Sequence, residues 1–273
     1  MFLSKMMGNK VLHAPIDITA TRVLDVGCGT GIVTHLMSDA YPQATCIGLD
    51  LSETPQLRPQ ATNVQFFKGN VTAERPKQWT TSDGKPGLPQ DEGLFDYVFS
   101  RLLILGMSDW QNFLKTEYSL LKPGGWAEVH DLVWDWCDVD GAVVSDEWSW
   151  LRCIRQELEK SKDMDLSCGK KAKNWMDEAG FVDVQVYKYT YPFCGSSESS
   201  VDMRKFGLFN ATAVPAMLED VIPRVMGNAC SELKVSLRAE MRQTLLPGKE
   251  RHQVFYVTIG RKPFAFEQHV QIL

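Results

Sequence analysis

The chain has 273 residues, 44% of them hydrophobic, which suffices to bury a sizeable core as one large α/β domain. A net charge of -5 excludes the basic face that neutralising nucleic-acid phosphates would require. No leader-like apolar stretch and no bilayer-spanning apolar run are present, so no membrane association and a cytoplasmic location are expected.

The elements alternate as βαβ units, which implies an α/β fold: a doubly wound, seven-stranded, mostly parallel Rossmann-like sheet with helical cap insertions. RVLDVG (22–27) reads as a buried strand, and 31–40 as a helix with Ile32, Leu36 and Met37 on one side. TCIGLDL (45–51) and NVQFFK (63–68) are the next strands. A polar loop over 73–93 then leads to LFDYVFS (94–100). A helix over Asp109–Leu121, capped by Asp109, stops at Lys122-Pro123-Gly124-Gly125 and is followed by the strand WAEVHDL. Residues 133–166 turn helical in pattern: Ser145 is placed to cap, and Trp148, Leu151, Ile154 and Leu158 repeat at helical spacing. A helix over 168–179 ends at Gly180, VDVQVYKYTYPF alternates as a strand, 201–245 is helical, and HQVFYVTIGRK closes as a strand. Gly195 to Ser200 reads as a hinge or loop, and Lys170, Lys171 and Lys173 as a solvated helix face. The whole of 1–273 is expected to form a single domain, with its core at 20–132, 168–194 and 250–262 and cap segments at 133–166 and 200–245. Seven scattered cysteines without a CxxC pair indicate neither a disulfide framework nor a metal site, and are expected to be mostly small buried thiols.

The chemistry concentrates where the first strand turns into the first helix. Asp25, Gly27, Gly29 and Gly31 lie there, at a strand's carboxyl end, where open parallel sheets bind ligands and backbone without side chains can approach closely. A dinucleotide site uses GxGxxG with a helix N-terminus on a pyrophosphate. Here the spacing is GxGxG and an acid precedes it, which suits S-adenosylmethionine (SAM), a ligand with no phosphate. Asp50, at the end of the second strand, can accept hydrogen bonds from both ribose hydroxyls. Taken singly, these glycines could serve packing alone and Asp50 could cap a turn. Asn70 and Val71 are placed for the adenine amino group and ring. Arg101, after Phe99-Ser100, is placed either for the SAM carboxylate or for a structural acid.

These residues together resemble the class I SAM-dependent methyltransferases, and within them the fungal group that includes velvet-complex-like regulators of secondary metabolism and biosynthetic-cluster enzymes. The resemblance runs through HAPIDITATRVLDVGCGTG, YPQATCIGLDLS, FDYVFSRLLILGMSDWQNFL and LKPGGWAEVHDL, roughly residues 10 to 132. It implies that Asp25, Gly27, Gly29, Asp50, Leu51, Asn70, Val71, Ser100 and Arg101 contact SAM and that Leu102 lines the methyl-transfer side. Relatives carry a longer helical segment ahead of the HAPI-like stretch, often covering the cofactor. Here His13-Ala14-Pro15-Ile16 lies near the start of the sequence, so a lid is expected elsewhere or SAM binding is weaker.

Methyl transfer from a sulfonium is an in-line displacement that relies on alignment and needs no covalent residue. His130, on WAEVHDL, is the candidate base, with Asp131 as the alternative; both could instead serve only the turn after the strand. Trp134, Trp136, Phe206 and Phe209, with Trp148 and Trp150 nearby, either wall an apolar substrate cavity or pack the cap helices. The expected activity is therefore methylation, most simply at oxygen, of a hydrophobic small molecule, with homodimerisation left open. A regulatory interaction module and a cyclase retaining the fold are the alternative readings.

Overall fold

The computed structural model describes residues 2–88, 90, 94–194, 200–246 and 248–267. Its sheet has seven strands in the order β3-β2-β1-β4-β5-β7-β6. β1 (Arg22–Val26), β2 (Thr45–Asp50), β3 (Val64–Lys68), β4 (Phe95–Arg101) and β5 (Leu121–Leu132) pair in parallel. β7 (Arg251–Arg261) is antiparallel to both β5 and β6 (Val182–Phe193). The sheet is thus mostly parallel, as the βαβ pattern implies, and its order reverses between β1 and β4. That reversal point is where α/β sheets leave a crevice.

Helices cover both faces. Asp25 and Ser100 lie one register step apart on neighbouring strands and so point to opposite sides of the sheet. α2 (Ile32–Ala40) meets the first side, where the Thr34 hydroxyl donates to Asp25 (2.7 Å). α3 (Trp110–Leu120) meets the second, with Glu117 beside Ser100. α5 (Cys168–Ala179) packs on α3 and on β5 and β7. On α2, Met37 is buried as expected, but Ile32 is exposed: it opens the first turn beside the glycine bend, where no sheet lies over it. Asp109 does cap α3, accepting from Asn112 N–H (3.1 Å).

The cap differs from the pattern read over 133–166. Only α4 (Ser149–Lys162) is helical, and residues before it run as irregular chain, with Cys137 bridged to Val143 and His252. Ser145 does not cap the helix, because its hydroxyl accepts the Trp136 N–H (3.0 Å). The orphan N–H groups of Ser149 and Trp150 donate instead to Glu240 (2.7 and 3.1 Å), a carboxylate from the helix over Ser231–Thr244. The 201–245 segment forms α6 (Val201–Val225) and α7 (Ser231–Thr244), broken where Gly227 takes a positive φ. A short α1 (Phe2–Met6) lies against α6, Phe2 stacking on Phe206 (5.1 Å between centroids). The glycine-serine stretch at 195–199 lies outside the described residues, and Ser200 caps α6 by accepting from Met203 N–H. All seven cysteines are free; Cys28, Cys46, Cys137, Cys168 and Cys194 are buried, whereas Cys153 is half-buried and Cys230 exposed. Lys171 and Lys173 pair with Asp165 and Asp177 on the solvated side of α5. Among the described residues no helix is long and apolar enough to cross a membrane.

Candidate active site

A cleft of about 350 Å³ opens at the carboxyl ends of β1, β2 and β4. Gly27, Asp50, Leu51, Asn70, Val71, Arg101 and Leu102 line it, so most of the residues singled out from sequence meet around one space. Gly27 has φ +66°, and a Cβ there would lie 2.3 Å from the Leu103 side chain; only glycine lets the bend close this tightly. Asp50 Oδ2 accepts the Gly29 N–H (2.9 Å) and Oδ1 the Ser52 N–H (3.0 Å). Each carboxylate oxygen has a second lone pair, so Asp50 can still accept hydroxyl protons.

The other expectations divide. Gly29 (φ +53°) shapes the bend, but its Cβ direction is open, so a larger side chain there meets backbone strain and no clash. Asp25 and Ser100 are buried beneath the cleft and do not line it. Burial pushes the Asp25 carboxyl up to about 6, against the pull of the Thr34 hydroxyl and of Arg101. Asn70 Oδ1 accepts both the N–H and the hydroxyl of Thr72 (3.1 and 2.9 Å), which occupies the acceptor that an adenine amino group would need. What Asn70 retains for a ligand is its NH₂.

Arg101 is the cation of the cleft wall. Burial lowers its pKa, Asp25 opposes this, and Nη1 is buried with no hydrogen-bond partner among the described residues. A guanidinium on a cleft wall can pair with a ligand carboxylate. A ligand bearing a ribose and a carboxylate fits this donor set: hydroxyls on Asp50, carboxylate on Arg101, and close backbone approach at Gly27.

His130 and Asp131 do not reach this cleft. Both are essentially inaccessible, because alternation along β5 turns His130 and Glu128 to one face of the sheet and Asp131 to the other. His130 Nε2 bonds Glu128 Oε1 (2.5 Å), and burial pushes the imidazole pKa down. Glu128 also accepts the N–H groups of His13 (2.9 Å) and Ala14 (2.7 Å), which fastens the HAPI segment to the sheet. Burial raises the Glu128 pKa, but the hydrogen bonds from His13 and His130 outweigh it and hold the carboxyl below its usual range. The ligand atoms of His13, Glu128 and His130 lie within 4.8 Å of one another, yet the carboxylate is already committed to backbone donors, so the cluster reads as a staple. A period-of-two reading of EVHD would have put Glu128 beside His130; its partners 115 and 114 residues away carry no sequence signal.

Asp131 instead accepts from Leu103 N–H (2.8 Å) and Leu132 N–H (2.9 Å), and burial raises its pKa to about 7. It thereby holds the loop after β4, whose Leu103, Gly106, Met107 and Ser108 complete the cleft wall unforeseen from sequence. On the far side of that loop lies a second cavity of about 180 Å³, mainly apolar, with Trp134 and Trp136 in its wall. Phe206 and Phe209 are not in it: Phe206 packs between Phe2 and Tyr191, and Phe209 is 56% exposed near Phe2. Leu102 lines both spaces and has φ +56°, a conformation costly for a branched residue.

Strand order, glycine bend, acidic β2 end and cleft together define a Rossmann-like fold of the nucleoside-binding type. A family model described as a methyltransferase domain matches residues 4–186, and the chain belongs to that family, as a class I SAM-dependent methyltransferase of the fungal secondary-metabolism group. It is 26% identical over 272 residues to methyltransferase pytC of Aspergillus terreus, covering 96% of this chain and 78% of the relative. It is 22% identical over 275 residues to the secondary metabolism regulator laeA of Aspergillus fumigatus, covering 97% and 68%. Among solved structures its fold is shared with phosphoethanolamine N-methyltransferase 2 of Haemonchus contortus in complex with S-adenosyl-L-methionine, with TM-score 0.50, 15% identity, and coverage of 96% of this chain and 51% of that one.

Proposed function

We propose that the chain transfers a methyl group from SAM to an oxygen of a hydrophobic small molecule in secondary-metabolite biosynthesis, as a single domain spanning 1–273. The observation that carries this is one cleft wall that presents Asp50, the Gly27 bend and the half-buried cation Arg101 together. When bound, SAM supplies an electrophilic methyl: the carbon–sulfur bond breaks with its electrons kept on sulfur, the acceptor oxygen forms the new bond, and its proton passes to solvent. The chain's own residues orient the pair. Asp50 accepts the ribose hydroxyls, Arg101 holds the carboxylate, Val71 and the Asn70 NH₂ meet the adenine, and Leu102 lies where the donor's cleft and the apolar cavity meet. Alignment of this kind supplies much of the acceleration in a displacement.

His130 and Asp131 act in this reading as positioning residues, His130 within the Glu128 staple and Asp131 through the loop that carries Leu102. The expectations of a cytoplasmic protein that binds no nucleic acid and is able to form a homodimer belong to the same proposal.

Calorimetric titration with SAM tests it. The wild-type chain binds, and Asp50→Ala weakens binding about tenfold or more through lost charge-assisted hydrogen bonds. Unchanged affinity in that variant refutes the placement, and no binding by the wild type refutes the reading.

A further inference from the structure

The cavity beside the cofactor cleft is narrow as well as apolar. Its volume is about 180 Å³. An apolar cavity of roughly 150 Å³ is enough to hold benzene, so there is room for one ring and not for two fused ones. Trp134, Trp136, Trp150 and Tyr191 give the wall aromatic surface, and Leu102 is shared with the cleft. Leu102 and Met217, each 40% exposed, are the exposed residues of the wall, so the remainder of a larger molecule leaves on their side.

Among the described residues that line it there is no Asp, Glu, Lys, Arg or His. The polar side chains of the wall are Tyr191, Gln253 and the three tryptophans, and several of their donors are used within the fold. The Tyr191 hydroxyl is turned to Asn210 Oδ1 (3.4 Å), Trp150 Nε1 donates to the Thr244 hydroxyl (2.8 Å), and one Gln253 N–H donates to the Val133 carbonyl (3.3 Å). Whichever of the others faces the space, the second Gln253 N–H or the indole N–H of Trp134 or Trp136, it is a neutral donor. Burial pushes the Tyr191 phenol up to about 12, so it too stays uncharged. Arg101, the cation of the cleft wall, does not line this space. A charged group entering from water therefore loses its hydration and meets no countercharge, and neutral donors return only part of that cost.

Leu102, where the two spaces meet, is also held in a strained backbone. Its φ of +56° is unfavourable for a side-chain-bearing residue and persists only where the surroundings impose it. Here its N–H donates to the His130 carbonyl (2.9 Å) and the next one, of Leu103, to Asp131 (2.8 Å). We infer that this cavity takes one uncharged, single-ring-sized group of the methyl acceptor, the methylated oxygen lying at its Leu102 end, so that the protein selects acceptors by the charge and the width of that group. The place of the methylated oxygen rests on the SAM reading; the charge and width limits rest on the cavity alone. Acceptors whose reacting end carries a phosphate, a carboxylate or an ammonium are excluded, and so are those that present a fused polycycle to the site.

The test uses benzyl alcohol, benzoate and benzylammonium, three rings of one shape that are neutral, anionic and cationic at pH 7, with 2-naphthalenemethanol as the wider neutral ring. Each is titrated by calorimetry into the full chain loaded with S-adenosylhomocysteine, the demethylated cofactor, which prevents turnover. Benzyl alcohol is expected to bind at least about tenfold tighter than either ion, and the second ring of 2-naphthalenemethanol to add less than about tenfold. Val214→Phe narrows the cavity and weakens benzyl alcohol about tenfold or more while S-adenosylhomocysteine binding persists, which also shows that the variant is folded. Met217→Trp, a filling at an exposed position of the same wall, is the second variant should the first not fold. Equal affinity for the neutral ring and either ion, a gain of tenfold or more from the second ring, or benzyl alcohol binding unchanged in a folded filled variant overturns the inference. Cofactor binding without ring binding overturns it and leaves the methyltransferase reading standing. Ring binding with the expected selectivity in a chain that takes up neither S-adenosylhomocysteine nor SAM supports the charge and width limits and sinks the transfer reading.

Discussion

The cofactor cleft and the apolar cavity meet at Leu102 but are built in opposite ways. The cleft is lined by residues from 26 to 108, nearly all of them in the turns that follow β1, β2, β3 and β4. The cavity draws on residues from 102 to 253, taken from the loop after β4, the end of β5, the cap helices, β6 and β7. The first is a property of strand ends, each set by a short local sequence. The second exists only once distant segments have been latched together. In both regions the latches are carboxylates accepting backbone N–H groups: Glu128 and Asp131 on β5 hold the HAPI segment and the loop, and Glu240 on α7 holds the start of α4.

Removing each latch separates the two regions. The largest effect is expected from Glu128→Ala, which leaves His130 and the His13 and Ala14 N–H groups buried without their acceptor. We expect a loss of about 3–5 kcal/mol in urea unfolding. A loss under about 1 kcal/mol would mean that the segment is held by other contacts.

Asp131 comes next, because its loop belongs to both regions. Burial raises its folded pKa to about 7 from an ordinary 3.8, so ionisation opposes folding. The penalty is absent below the unfolded pKa and grows as pH rises through the folded one. Relative to Asp131→Asn, wild type should therefore lose stability between about pH 4 and 7, by at most about 1.4 kcal/mol per pH unit. Parallel stability–pH curves for the two proteins would show that Asp131 does not titrate in that window.

Glu240→Ala is the smallest and the most selective. Losing the cap on Ser149 and Trp150 should cost about 1 kcal/mol. Amide exchange should quicken in the first turn of α4 while the amides of Gly27 and Gly29 keep their protection and SAM affinity stays the same. Equal quickening at the glycine bend would break the distinction between the regions.

The same distinction explains which parts were legible. Gly27, Asp50, Asn70, Val71 and Arg101 could be placed from sequence because a strand's carboxyl end, a positive-φ bend and an acidic terminus are local events, and the sheet brings such ends to one rim. Asp25 and Ser100 lie beneath the cleft because side chains along a strand alternate between the two faces of the sheet, each covered by its own helix. His130 on β5 is likewise turned away from the cleft, onto Glu128. Ser145 looked like a helix cap because it precedes an acidic turn, but a donor 9 residues away claimed its hydroxyl.

Sequence by itself therefore determined the βαβ alternation, the glycine-acid cradle and the class of ligand it suits, since hydrophobic period and backbone conformational freedom are properties of a few adjacent residues. Tertiary structure alone decided that Glu128 staples the HAPI segment, that Trp134 and Trp136 wall a cavity while Phe206 and Phe209 do not, and that Leu102 borders both that cavity and the cleft. Those facts depend on contacts across more than a hundred residues, where burial and hydrogen-bond satisfaction choose among partners that no local pattern ranks.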